Sequence, residues 1–104
     1  MSAATPISIG RKDDASKARM DLLPAGPIVE VAKALTFGAD RYGDDNWQRV
    51  DRARSRYHAA ALRHIFAWAH GSKSDSDSGL SHLAHAVCCL LFLLWFDMRS
   101  GDER

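Results

Sequence analysis

The residue types best suited to metal or proton-transfer chemistry are concentrated between Asp75 and His85. This segment reads DSDSGLSHLAH and contains two aspartates followed by two histidines. His82 and His85 are three residues apart, so on a helix both imidazoles project from one side. The candidate metal ligands are these two histidines, Asp75, Asp77 and, from an earlier segment, Glu30. Carboxylates suit Mg²⁺ or Mn²⁺, whereas imidazoles shift the preference toward Mn²⁺, Zn²⁺ or similar ions.

Each candidate ligand also has a purely structural interpretation. The two histidines could be helix-start residues that are hydrogen-bonded to the neighbouring aspartates. Glu30 could form a solvated ion pair with Lys33, three residues further along a helix. An HxxH pair is only a moderately specific sign of a metal site. The zinc-protease pattern is HExxH, which this sequence does not have. A structural zinc site is a third alternative.

A second group of polar and aromatic residues lies in residues 38–47, GADRYGDDNW, which are predicted to form a loop. Arg41, Tyr42, Asn46 and Trp47 are concentrated there. An arginine, an aromatic ring and an amide are the groups that a nucleotide site uses for phosphate, ring stacking and base-edge hydrogen bonds. The alternative is that Tyr42 and Trp47 anchor the loop to the core, and the two roles can coexist.

The hydrophobic pattern predicts an all-α fold, a small bundle of three to four helices. The helices are expected near residues 27–37, 51–70 and 79–98, with a short fourth candidate near 15–22, and no strand is predicted. Pro27 suits the first turn of one helix and Gly38 is expected to end it. Asp51 can cap the next helix, and Gly71 is expected to end it.

The last predicted helix is the most apolar. Its hydrophobic face consists of Leu80, Leu83, Val87, Leu90, Leu91 and Leu94. The eleven residues from Ala86 to Phe96 include no polar side chain. A membrane span needs roughly 20 such residues, so a buried helix is expected instead. Cys88 and Cys89 are adjacent and are expected to be reduced, buried thiols. A domain this small buries only about 60–65% of the surface of its unfolded chain, so a helix that is apolar on all sides is expected to be covered in part by self-association to a dimer or tetramer.

The composition indicates one globular domain. The 104 residues include 14 Lys and Arg and 13 Asp and Glu, so no nucleic-acid partner is expected. Residues 1–16 are predicted to form a flexible arm, residues 17–98 the domain and residues 99–104 a polar tail. No signal segment is recognised, so a cytoplasmic location without a membrane is expected.

Arg63 and His64 are predicted to lie deep in the second long helix, among apolar neighbours. An unpaired buried charge is costly, so each needs a partner. That partner is either a carboxylate such as Asp75 or Asp77, or the phosphates of a ligand. His64 could also act as a general base, since the pKa of an imidazole lies near the working pH.

Four blocks of residues follow one another in order over residues 17–92. They are Lys17-x-Arg19-x-Asp21-Leu22-Leu23-Pro24; Phe37-Gly38-Ala39-Asp40-Arg41-Tyr42-Gly43 with Asn46-Trp47; Ala61-Leu62-Arg63-His64; and Asp75-x-Asp77-Ser78-Gly79-Leu80-x-His82-Leu83-Ala84-His85-Ala86. Together they resemble the phage dATP/dGTP diphosphohydrolase family, a MazG-like group.

The resemblance implies an all-α pyrophosphatase that cuts a (deoxy)nucleoside triphosphate to a monophosphate and pyrophosphate with a divalent metal. It also implies a dimer or tetramer. The wider MazG-like superfamily uses ExxE on one helix and ExxD on a later one. Here Glu30 is followed by Lys33, and the later position reads His82-x-x-His85. The four-carboxylate Mg²⁺ site therefore cannot be copied onto this chain.

The resulting hypothesis is hydrolysis of a purine deoxynucleoside triphosphate, dGTP or dATP, in the cytoplasm of a phage host. Glu30, Asp77, His82 and His85 are assigned to the metal, with Mg²⁺ expected and Mn²⁺ or another transition metal as the alternative. His64 and Asp75 are assigned catalytic roles. The substrate-binding residues are Lys17, Arg19, Lys33, Arg41, Tyr42, Asn46, Trp47 and Arg63. The alternative is a non-catalytic nucleotide-binding or assembly module.

Overall fold

The computed structural model describes residues 8–100, and helices form nearly all of the regular structure in this part of the chain. A short 3₁₀ turn at Met20–Leu22 precedes helix α1 (Ala25–Tyr42), and a second turn covers Asn46–Arg49. Helix α2 (Ala53–Ala69) and helix α3 (His82–Ser100) follow. Within residues 8–100 there is no strand, only an isolated bridge between residues 74 and 81. The predicted all-α fold is therefore confirmed. Residues 1–7 and 101–104 of the predicted arm and tail lie outside the described residues.

The end of α1 differs from the prediction. Gly38 does not end the helix, which continues to Tyr42. Gly43 then adopts a φ of +97° and donates its backbone N–H to the carbonyl of Ala39 at 2.7 Å. A glycine inside a helix costs only about 1 kcal/mol relative to alanine, so a single glycine does not by itself end a helix. Arg41 and Tyr42 therefore lie on the last turn of α1 rather than in a loop.

The start of α2 is also corrected. The helix begins at Ala53, and the residue before it, Arg52, has a left-handed φ of 53° and no side-chain cap. Asp51 is therefore not the capping residue. The predicted end is confirmed, because the helix stops at Ala69 and Gly71 follows with a φ of +99°.

Helix α3 begins at His82, three residues later than predicted. The preceding residues form a compact turn in which the Asp75 N–H donates to the carbonyl of Leu80 at 2.8 Å. The Gly79 N–H in turn donates to the carbonyl of Asp75 at 2.8 Å. These hydrogen bonds hold the chain out of helical geometry until His82. The short helix predicted near residues 15–22 is reduced to the turn at Met20–Leu22.

Small side chains form the core where α1 and α2 pack on α3. The buried cluster between α1 and α3 consists of Val31, Ala34, Ala84 and Cys88, and the Cys88 thiol donates to the Val31 carbonyl at 3.5 Å. Cys89 is buried as well, so the prediction of two reduced, buried thiols is confirmed. Small residues let helix backbones approach closely. As a result, no large side chain in the described chain is fully buried.

Helices α2 and α3 run antiparallel. At one end, the Arg54 guanidinium pairs with Asp97 and donates to the Phe96 carbonyl at 3.2 Å. This contact joins the start of α2 to the end of α3. The opposite end of α2, which carries His64, consequently lies beside the start of α3.

The predicted apolar face of α3 is not the buried face of this chain. Four residues at helical spacings of four, three and four form an exposed stripe: Leu83, Val87, Leu90 and Leu94. Leu90 is 50% exposed and Leu94 is 55% exposed. The single chain therefore does not bury this face by itself, and its completion by another subunit stays a prediction.

The α3 segment His82–Arg99, with a mean hydropathy of 1.3, is long and apolar enough to cross a membrane by length and composition alone. It is the one helix within residues 8–100 that meets both criteria. A core helix of a soluble protein meets the same criteria, so this single helix is weak evidence for a membrane span.

Candidate functional site

Three histidines meet where the end of α2 packs against the start of α3, and we call them the imidazole cluster: His64, His82 and His85. The Nδ1 atoms of His64 and His82 are 2.9 Å apart. The rings of His64 and His85 stack with their centroids 4.9 Å apart and an angle of 14° between planes. The antiparallel packing of two helices thus brings together residues 18 and 21 positions apart in sequence.

The loop between α2 and α3 fixes the orientation of these rings. The Ser72 hydroxyl lies 3.1 Å from His82 Nε2, and the Ser78 hydroxyl lies 2.6 Å from His85 Nε2. Two serines, rather than the two aspartates, are therefore the hydrogen-bond partners of the HxxH pair. Sequence analysis assigned neither serine to a histidine, because no spacing rule links a loop hydroxyl to a histidine on the next helix.

Asp75 is held in place by backbone hydrogen bonds. Its Oδ2 accepts the N–H groups of Asp77 at 3.1 Å and Ser78 at 2.9 Å. Burial alone raises the pKa of Asp75, but the hydrogen bonds from Ser78 and the proximity of His85 outweigh burial. The resulting pKa lies below the usual aspartate value, so this side chain is a carboxylate at neutral pH.

The pKa of His64 is shifted in the direction that favours its neutral form. Burial lowers the pKa of His64, and His85 lowers it further, although nearby Asp75 opposes the change. A neutral imidazole is therefore favoured at neutral pH. Neutral imidazole and ionised carboxylate are the forms that bind a cation or accept a proton.

A compact set of possible metal ligands lies at this point. One ligand atom from each of His64, Asp75 and His82 falls within 4.8 Å of the other two. Among residues 8–100, it is the only group of three or more potential ligand side chains that converge in this way. Two of its members were predicted to be catalytic and one to be a metal ligand.

The other predicted metal ligands lie outside this group. Glu30 accepts a hydrogen bond from Lys33 Nζ at 2.9 Å, which is the structural alternative that the sequence offered. Asp77 pairs with Arg41. The ring of His85 stacks on that of His64, but His85 does not contribute an atom to this set of ligands.

A groove of about 990 Å³ opens beside the imidazole cluster. The end of α1 and the following turn contribute Arg41, Tyr42, Asn46 and Trp47 to its lining, and the cluster end contributes Arg63, His64, Asp75, Asp77 and His85. All four residues of the predicted nucleotide-binding segment therefore border the same space as the candidate catalytic residues.

Arg41 lies at the edge of this groove. Its guanidinium pairs with Asp77 and lies 5.6 Å from the centre of the Phe37 ring and 5.8 Å from the centre of the Tyr42 ring. Tyr42 itself is 63% exposed. A cation and an exposed aromatic ring are thus adjacent on the last turn of α1.

Trp47 has a different environment from Tyr42. Its ring stacks on Phe92 with centroids 4.4 Å apart and meets the edge of Trp95 at 4.8 Å. The proposed anchoring of the loop is therefore confirmed for Trp47. Tyr42 remains the more accessible ring for a ligand.

Three predicted substrate-binding cations do not line the groove: Lys17, Arg19 and Lys33. Arg19 donates two hydrogen bonds to Asp21, at 2.8 and 2.7 Å, and Lys17 is exposed. Arg63 borders the groove but is exposed, so its predicted deep burial is wrong.

Comparison with known proteins places this geometry in a family context. A family described as dATP/dGTP diphosphohydrolase, N-terminal, matches residues 8–104. A dATP/dGTP diphosphohydrolase from Salmonella phage PMBT28 is 34% identical over 99 residues, which cover 91% of this chain and 33% of the relative. The chain thus spans about a third of the length of that relative. No solved structure matches the chain. Because the family match covers nearly the whole sequence, the chain belongs to the dATP/dGTP diphosphohydrolase N-terminal family.

Proposed function

We propose that this chain hydrolyses a purine deoxynucleoside triphosphate, dGTP or dATP, to the monophosphate and pyrophosphate with the help of a divalent cation. The observation that carries the proposal is the imidazole cluster with Asp75 at the end of a large groove. The phage relative, named as a dATP/dGTP diphosphohydrolase, supports the substrate class.

The proposed reaction breaks one bond. A water oxygen attacks the α-phosphorus, the bond from this phosphorus to the α,β-bridging oxygen breaks, and pyrophosphate leaves with the electron pair. A divalent cation, when bound, neutralises charge on the phosphates and lowers the pKa of the water. One proton of the water must pass to a base on the protein.

We assign the proton acceptor to the imidazole cluster. Its member His85 borders the groove, and the Ser78 hydroxyl at 2.6 Å from His85 Nε2 holds the ring in one orientation. An imidazole positioned in this way is the most common general base in enzymes. His64 supports it through the stacked ring contact.

The side of the groove formed by the end of α1 is proposed to hold the nucleotide. The Arg41 guanidinium suits a phosphate, since its fork of donors matches phosphate oxygens. On substrate binding, Arg41 would leave Asp77 and pair with a phosphate. The cost is small, because exposed ion pairs are weak. The exposed ring of Tyr42 is available to stack on the purine.

Incubation of the chain with dGTP and with dATP, in the presence of Mn²⁺ or Mg²⁺, tests this proposal. We expect equal amounts of monophosphate and pyrophosphate. Orthophosphate with a diphosphate product would contradict the proposed bond. Nucleotide binding without any turnover would favour the non-catalytic binding module instead.

We also propose that two copies of the chain pair through the exposed stripe on α3. The spacing of Leu83, Val87, Leu90 and Leu94 is that of a heptad seam between two helices. The described chain has no fully buried large side chain, so a second copy would supply the packing that one copy lacks. The same apolar stripe on each partner makes a self-complementary contact.

A further inference from the structure

The structure assigns His64, Asp75 and His82 as the ligands of a six-coordinate transition-metal ion. This ligand set differs from the carboxylate set that the family resemblance implies and from the Mg²⁺ ligands predicted from the sequence. The inference deepens the proposed function and rests on it for its catalytic meaning. Metal binding itself is measurable without any nucleotide.

The spacing of the two nitrogen atoms carries the first part of the argument. Metal–imidazole bonds are about 2.1 Å long, so two nitrogens at a right angle around one ion lie about 3.0 Å apart. At the tetrahedral angle they lie about 3.4 Å apart. The observed distance between the Nδ1 atoms of His64 and His82 is 2.9 Å. The two nitrogens share a hydrogen bond at this distance, and a cation in place of the shared proton would meet them at the spacing of neighbouring octahedral positions.

The hydrogen bond to His82 carries the second part. A histidine that binds a metal through one ring nitrogen commonly donates its other N–H to a nearby acceptor. The Ser72 hydroxyl, 3.1 Å from His82 Nε2, provides that acceptor. With Nε2 as the donor in this contact, the Nδ1 lone pair of His82 is directed toward His64. His82 is only 9% exposed, so little solvent competes for this nitrogen.

Asp75 supplies the third ligand. Its Oδ2 accepts two backbone N–H groups, and a carboxylate oxygen lies within 4.8 Å of a ring nitrogen of each histidine. Two imidazoles and one carboxylate on one face of an octahedron leave three positions open. Water or phosphate oxygens of a nucleotide could occupy those positions.

The donor atoms select the class of ion. Mg²⁺ prefers oxygen ligands and keeps most of its water, whereas two nitrogen donors favour Mn²⁺, Fe²⁺, Co²⁺ or Ni²⁺. Zn²⁺ binds nitrogen but favours tetrahedral sites. The expected ion is therefore a first-row transition metal with octahedral preference.

Titration of the metal-free full chain with Mn²⁺, followed by the paramagnetic resonance signal of the free ion, tests this site. We expect one tightly bound Mn²⁺ per chain, which a tenfold excess of Mg²⁺ does not displace. His64→Gln and Asp75→Asn should weaken binding more than about 100-fold, and Ser72→Ala about tenfold. His58→Gln, which alters an exposed imidazole on α2, is the matched control and should leave binding unchanged. Far-UV circular dichroism establishes that each variant keeps its helices.

Several outcomes would overturn the assignment. They are absence of saturable Mn²⁺ binding, equal loss in the His58→Gln control, and displacement of Mn²⁺ by a tenfold excess of Mg²⁺. The Co²⁺-loaded chain should absorb visible light weakly, as six-coordinate Co²⁺ does, and intense four-coordinate bands would contradict the geometry. Mn²⁺ binding without dGTP hydrolysis would refute the proposed function and leave the metal site standing. Hydrolysis by a chain that binds no Mn²⁺ would do the reverse.

Discussion

Replacement of Trp47 by alanine should destabilise the protein through the loss of a packed aromatic cluster. The indole stacks on Phe92 and meets the edges of Trp95 and Phe96 at centroid distances of 4.8 and 6.0 Å. Each such ring pair contributes about 0.5–1.5 kcal/mol beyond buried area. Truncation of a fully buried tryptophan costs about 3–5 kcal/mol. Trp47 is half-buried, so we expect a loss of about 3 kcal/mol in the free energy of unfolding.

Urea unfolding followed by circular dichroism measures this loss. At a typical slope of about 2 kcal/mol per molar urea, the midpoint should fall by about 1.5 M. Protein concentration must be held equal, because self-association adds to apparent stability. Tyr42→Ala is the control, and its exposed ring should change stability by less than about 0.5 kcal/mol.

The two variants should also separate anchoring from ligand binding. Tyr42→Ala should weaken nucleotide binding at almost unchanged stability. A Trp47→Ala variant within about 0.5 kcal/mol of the wild type would refute the anchoring role. Equal destabilisation by Tyr42→Ala would refute the distinction between the two rings.

Three further predictions concern other parts of the molecule. Burial raises the pKa of Cys88 to about 12 and that of Cys89 to about 11, from an ordinary 9.0. At pH 8 both thiols should therefore react with iodoacetamide at least about 100-fold more slowly in folded than in urea-unfolded protein. Comparable reaction rates of the folded and unfolded protein would contradict the burial of the thiols. The stabilising contribution of the protonated thiols should be lost as the pH rises above about 9. Leu90→Glu should halve the mass measured by light scattering, whereas an unchanged mass would exclude α3 pairing. Arg41→Ala should raise KM for dGTP at least about tenfold with little change in helix content, and an unchanged KM would remove Arg41 from the substrate site.

The helices were predictable from sequence because their apolar periodicity is local, but several of their ends were not. Helix α3 starts at His82 because Asp75, Gly79 and Leu80 exchange backbone hydrogen bonds in a turn. The left-handed Arg52 before α2 carries no sequence signal, since arginine has no particular preference for that conformation. Gly38 illustrates the opposite error, because one internal glycine costs a helix only about 1 kcal/mol and does not by itself end it.

The candidate site was predictable in residue type but not in grouping. His64, Asp75 and His82 were all selected from the sequence, yet they were divided between catalytic and metal-binding roles. Their convergence depends on the register of α2 against α3, which contacts such as that of Arg54 with Phe96 help to set. No spacing within one segment encodes that register. Glu30 is the opposite case, since its pairing with Lys33 is local and was one of the alternatives that the sequence offered.

The most direct test of the account is the turnover of dGTP by His64→Gln compared with the wild type, at saturating Mn²⁺ and after equal helix content has been established. We predict that kcat falls at least about 100-fold, because the substitution removes a ring that contacts both of the other imidazoles in the cluster. Turnover at the wild-type rate would contradict the claim that the chemistry occurs where α2 meets α3.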